Sequence, residues 1–335
     1  MCLYELENQV SDQFDTEDGR LVLNGRREKI KSVAKKIKGL EGAIATKIFP
    51  NRLCPRTTGS IRAWFSMNQK LIIKANPRKG FNLNVEVRGK NVGEILVQPT
   101  GQNPAFIFTP KESLREARES VRWEWSQNSV DAENIRTFLR RQVTKAQTIK
   151  AQEREIQWQL SEAIKKGTDT FRNLQPIQWL KYPSEIGVSI NREGAVLLGT
   201  TGNIDLMVRD RGRTGFYVFE LKRPGATETI EKALRQSIYF ALALDHEANL
   251  NADSQQDYRK VFGSNGSKPL KFGAVAVMSR PESELWNEFQ LAARDVAKRY
   301  KPSASSRLLS IGILTYHWDP VSMKASDWEW LIRPG

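Results

Sequence analysis

In GNIDLMVRDRGRTGFYVFELKRPG, residues 202–225, two apolar runs flank a polar, glycine-containing centre, and charged residues interrupt both runs. Side chains on a strand alternate between faces. In the first run Ile204, Leu206 and Val208 share one face, and Asp205 and Met207 the other. In the second, Tyr217, Phe219 and Leu221 share a face opposite to that of Glu220 and Lys222. A tight turn centred on Gly212-Arg213, a glycine-first pair suited to a hairpin, sets Asp205 across from Glu220 and Lys222 across from Asn203. Such opposed residues have Cβ atoms about 4.5–5.5 Å apart. A slip of one residue would send each side chain to the other face, so the pairing depends on that turn.

Two carboxylates this close repel, and one is driven to take up a proton unless a cation joins them. Oxygen ligands suit Mg²⁺ or Mn²⁺. The chain has only two histidines, His246 and His317, and two cysteines, Cys2 and Cys54. That argues against zinc, a disulfide framework and a Ser-His-Asp triad. Pro224 stops the second strand just beyond Lys222, so the charged cluster falls at a strand end, where a cleft can form. A metal held by two acids beside a lysine can bind a phosphate oxygen and acidify a water, while the lysine offsets charge growing on phosphorus. Phosphodiester hydrolysis needs little more.

Asp205, fourteen residues, then Glu220-Leu221-Lys222 resembles the PD-(D/E)xK nuclease superfamily, with Ile204-Asp205 standing for the "PD". Glu220-Leu221-Lys222 is the only Glu-x-Lys in the 335 residues. The resemblance spans roughly residues 128–318. It implies a restriction-endonuclease-like α/β fold, a mixed sheet flanked by helices. It also implies that Asp205, Glu220 and the Leu221 carbonyl bind the metal and that Lys222 assists the water. Many relatives add an upstream acid: Glu185 is the first choice here, with Glu155 or Glu162 on the leading helix as alternatives. One branch places Gln and Tyr four apart on the following helix; here Gln236 and Tyr239 are three apart, still on one helix face. A basic β domain ahead of the nuclease module looks like mismatch-cutting repair enzymes and like some phage-defence nucleases, and the residues do not choose between them. Relatives often dimerise, so a homodimer is expected.

The rest of the chain fits this frame. Net charge is +14. Residues 20–90 hold 18 Lys and Arg against three acids, Glu28, Glu41 and Glu86. A block this basic implies a polyanionic partner, nucleic acid first, with DNA favoured over RNA. Arg26, Arg27, Lys35, Lys36, Arg62 and Lys74 are the candidate backbone contacts. A short basic helix in RREKIKSVAKKIKGLEG precedes apolar, β-branched runs separated by Gly, Pro and Asn, the pattern of a small β-rich domain. The boundaries read as a loose acidic arm over 1–19, a basic β-rich domain over 20–110, a helical linker over 111–128 and a nuclease-like domain over 129–335. Thr109-Pro110-Lys111-Glu112 has the form of a capping box that opens the linker. Residues 249–269 read as a polar loop, and RLLSIGILTYHW as the last strand. The acidic start lacks an apolar core and so does not read as a signal peptide; no stretch has the length of a membrane span, and a cytoplasmic setting is expected. The competing reading is a protein that binds nucleic acid on the same fold without cutting it.

Overall fold

The structure, a computed structural model, describes residues 2–17, 28, 61–64, 81–87, 90–98, 105–116, 122–125, 130–146, 152–179, 182–183, 186–187, 203–210, 215–262, 264 and 268–335. The basic-helix segment apart from Glu28, the runs AIATKIF and KLIIKA, and the Gly212-Arg213 turn lie outside these residues.

The acidic start is a helix, α1 (Leu3–Asp15), rather than a loose arm. The Cys2 N–H donates to Glu5 Oε2 at 2.7 Å and so uses the acid to close the first turn. Leu3, Leu6, Val10 and Phe14 recur at helical spacing and are buried. The apolar stripe was hidden by the acids between its members.

Strands β1 (Ile61–Trp64), β2 (Phe81–Val87), β3 (Lys90–Gln98), β4 (Ala105–Pro110) and β5 (Trp123–Trp125) form an antiparallel sheet in that order. The expected capping box at Thr109 is not a helix start. Thr109 and Pro110 end β4 opposite Glu94 and Gly93, and only one 3₁₀ turn, Glu112–Leu114, follows. The chain then returns as β5 against β4, so no helical linker is found among the described residues of 111–128. Pairing with β3 outweighs the local helix signal, and Pro110 sits at the strand's last position, where its missing N–H does least harm. Helix α2 (Val130–Ala146) packs on this sheet: Phe138 lies 5.6 Å from both Phe108 and Trp123.

Helix α3 (Gln152–Lys166) leads into the second sheet. Its strands are β6 (Leu174–Pro176), β11 (Leu206–Asp210), β12 (Gly215–Leu221), β13 (Lys271–Ser279), β14 (Leu308–Asp319) and β15 (Lys324–Ile332). Between β6 and β11 come the short pairs β7 (Gln178–Trp179) with β8 (Tyr182–Pro183), and β9 (Ile186–Gly187) with β10 (Asn203–Ile204). The six strands run in the order β15-β14-β13-β12-β11-β6. Strand β12 is parallel to β13 and β13 to β14, while the remaining pairs are antiparallel. This is a mixed sheet flanked by helices. The expected last strand is followed by one more, β15, whose alternation in KASDWEWLI was overlooked.

Helices cover both faces. α3 buries Ile156, Leu160 and Ile164 against Leu206, Val208, Tyr217, Phe219 and Leu221. The opposite face, with Met207, Phe216, Val218 and Ala276, packs against α4 (Ile230–Ala248) and α6 (Trp286–Arg299), the crossovers that parallel pairing requires. α1 rests on α4: Tyr239 OH donates to Gln13 Oε1 at 3.0 Å and the His246 ring stacks on Phe14. The expected polar loop contains α5 (Ala252–Phe262). Asn251 Oδ1 accepts from the Ser254 N–H at 2.9 Å, and Tyr258 and Phe262, four apart, bury on one side.

Candidate functional site

Strands β11 and β12 pair with Leu206 opposite Phe219 and Met207 opposite Val218. This is the register that the turn at Gly212-Arg213 requires, and one step further brings Asp205 to the level of Glu220. Asp205 itself lies in a bend between β10 and β11. Its Oδ2 accepts the Leu221 N–H at 2.7 Å, which ties the bend to the end of β12. The expected Lys222–Asn203 pairing is not formed: β12 ends at Leu221, and Asn203 pairs with Gly187 of β9.

Beyond Leu221 the chain turns sharply. The Ala226 N–H donates to the Arg223 carbonyl at 3.2 Å, with Pro224 second in the turn and Gly225 third at φ 70°. These are the residues a type II turn prefers at those places. The Thr229 hydroxyl then caps α4 by accepting the Lys232 N–H at 3.2 Å. Ser237 pins the helix to the sheet: its hydroxyl donates to the Val218 carbonyl at 2.7 Å and accepts the Val275 N–H at 2.9 Å. The adjacent Gln236 thereby reaches the end of β12.

Lys222 Nζ donates to Glu220 Oε1 at 2.9 Å and to Gln236 Oε1 at 3.1 Å. Its backbone is held from the neighbouring strands, its N–H by the Val277 carbonyl at 2.9 Å and its carbonyl by Tyr316 OH at 2.8 Å. Glu220 is 3% exposed, and its Oε2 is buried without a hydrogen-bond partner among the described residues. Burial pushes Glu220 up to about 7, against the pull of the Lys222 ammonium. Burial, and secondarily the Glu220 charge, raises Asp205 well above the usual carboxylate range. Burial disfavours the Lys222 ammonium, but Glu220 and Asp205 outweigh it and hold its pKa above the ordinary value. Among the described residues, the two buried acids have one ammonium between them, bonded to Glu220 and acting on Asp205 through its charge.

The structure brings Gln236 to this cluster but not Tyr239, which turns to α1. Glu155 is buried and accepts from Gln159 Nε2 at 2.8 Å, and Glu162 pairs with Lys165 at 3.5 Å. Glu153, not among the expected acids, acts on both members of the pair: its charge raises the carboxyl groups of Asp205 and Glu220, and Tyr316. The signal was present in the spacing. Glu153 precedes Ile156 by three residues and so extends the stripe of Ile156, Leu160 and Ile164 by one turn, past the apolar core. Glu155, two residues on, faces elsewhere. Glu185, Arg26, Arg27, Lys35, Lys36 and Lys74 lie outside the described residues. Arg62 is in β1, paired with Glu86.

Among the described residues, no three His, Cys, Asp or Glu side chains group closely enough to hold a metal ion by themselves. The donor set of Asp205 and Glu220 nevertheless fits a hard divalent cation. Both are oxygen donors, and Glu220 Oε2, which has no partner among the described residues, is a buried acceptor that a cation can satisfy. Among the described residues no helix is long and apolar enough to cross a membrane. No protein-family model, curated protein or solved structure matches the chain.

Proposed function

We propose that this chain is a divalent-metal-dependent nuclease that hydrolyses phosphodiester bonds, of DNA rather than RNA, on a restriction-endonuclease-like fold. The observation that carries the reading is the buried Glu220 Oε2, unpartnered among the described residues, in a cluster of two acids and one lysine at the end of β12. Asp205 and Glu220 would hold Mg²⁺ or Mn²⁺, with the Leu221 carbonyl as the family resemblance implies and Glu153, whose charge acts on both acids, as the further acid. The ion supplies a Lewis acid for a phosphate oxygen and lowers the pKa of a bound water.

The chain's own residues do the rest. Lys222, held by Glu220 and Gln236, keeps its ammonium beside the acids, where it orients a water and offsets negative charge as phosphorus is attacked. Gln236 keeps Lys222 from folding onto the acid alone. The basic N-terminal segment supplies backbone contacts to the polyanion, with affinity that falls steeply as salt rises. A homodimer and a cytoplasmic setting belong to the same proposal.

The test is incubation of the full chain with linear, circular and single-stranded DNA and with RNA, in Mg²⁺, Mn²⁺ or a chelator. Metal-dependent cleavage that is lost in Asp205→Ala and Lys222→Ala is the expected result. Cleavage that survives the chelator, or both substitutions, sinks the proposal.

A further inference from the structure

We infer that Gln157 is a positioning residue that aims Asp205 into the metal-binding cluster, acting through the Asp205 main chain. The inference rests on Asp205 as a metal ligand and goes beyond it by naming what fixes that ligand. Asp205 occupies a bend between two strands that pair with different partners: β10 with β9, and β11 with β12 and β6. No ladder register includes the bend residue, so its carbonyl needs a donor from elsewhere. Gln157 supplies it: its side-chain Nε2 donates to the Asp205 carbonyl. Gln157 is 5% exposed, so water does not offer an equal substitute. The side chain of Asp205 is held separately, by the Leu221 N–H at 2.7 Å. Two bonds, one to the carbonyl and one to the carboxylate, therefore fix the residue at both ends.

The same helix is anchored a second time. Gln159 Nε2 donates to the Met323 carbonyl at 2.8 Å, and Gln159 Oε1 accepts the Ala325 N–H at 2.7 Å. Gln159 thus fastens α3 to the β14–β15 end of the sheet, and Gln157 fastens it to the bend. Only the second touches a candidate ligand. Gln157 also lies four residues after Glu153, on the same side of α3.

The experiment uses the full chain and its Gln157→Met variant, which keeps the side-chain length and removes the donor. Gln157→Asn, whose amide falls one methylene short, is the second variant in case the first folds poorly. Mn²⁺ binding is followed by electron paramagnetic resonance, and cleavage by metal titration. Both variants are expected to need about 10–100-fold more Mn²⁺ for half-saturation, the usual effect of removing an outer partner of a ligand. Substrate KM should stay close to that of the unchanged chain, while the unfolding midpoint falls, as an orphaned buried carbonyl requires. Gln159→Met should lower the unfolding midpoint and leave Mn²⁺ affinity within about threefold, well short of the outer-partner effect. If the unchanged chain binds Mn²⁺ and the Gln157 variants bind it equally well, the role of Gln157 is refuted while the metal site stands. If the unchanged chain binds no Mn²⁺, the metal site itself falls, and this role with it.

Discussion

The Leu221 N–H donates to Asp205 Oδ2 at 2.7 Å. The bond joins the residue between Glu220 and Lys222 to the acid sixteen positions before it, so all three charged groups are registered by one backbone amide. An acid in this position is orientated by the strand it serves, not by its own rotamer alone.

Asp205→Ala and Lys222→Ala should each lower metal-dependent cleavage by at least about 100-fold, the scale of losing one preorganised charged group in a transition state. Nucleic-acid binding without metal should change little. Filter binding alongside a gel-based cleavage assay separates the two, and a variant that loses both would point to misfolding.

Glu153 and Glu155 should behave oppositely. Glu153 is exposed, so Glu153→Gln is expected to change stability by no more than about 0.5 kcal/mol yet reduce cleavage about 10-fold or more. Glu155 is buried and bonded to Gln159, so Glu155→Ala should cost about 1–3 kcal/mol and spare the metal dependence. Equal cleavage by Glu153→Gln and the unchanged chain would remove Glu153 from the site.

Leu6 is 1% exposed beneath α1. Leu6→Ala should cost about 2–5 kcal/mol in chemical denaturation, as for other core leucines. A change under about 0.5 kcal/mol, the size of an ordinary surface substitution, would return the acidic start to a loose arm.

Burial raises Asp245 from 3.8 to about 6, against the pull of Arg307. The folded chain therefore holds this proton more tightly than the unfolded one. The associated stability is complete below about 3.8 and disappears as pH rises through about 6. Asp245→Asn should be neutral near the lower value and stabilising above the upper one, by about 3 kcal/mol at most. Denaturation midpoints across that range give the slope, and a benefit that grows as pH falls contradicts the sign.

Several local signals proved reliable because one short-range force governed each. The β11–β12 register followed from alternation and a glycine-containing turn, and it held from Leu206–Phe219 onward. The strand stop read at Pro224 also held, since β12 ends at Leu221. Signals failed where a distant partner decided. Thr109-Pro110 reads as a helix start until β3 pairs with it. The acidic α1 reads as solvated until α4 covers its apolar stripe. Tyr239, three residues from Gln236, shares its helix face but meets Gln13 rather than the charged cluster.

By itself, the sequence determined the β11–β12 register and the common level of Asp205 and Glu220, because side-chain alternation along a strand is a backbone property that neighbouring residues suffice to set. Only the tertiary structure decided which groups surround that cluster. Gln157, Glu153 and Tyr316 come from elements 48 or more positions away from the residue each one meets or acts on. Their arrival depends on how α3 packs on one face of the sheet and how β14 takes its place within it, which is a matter of shape and burial across the whole core rather than of any one short run of residues.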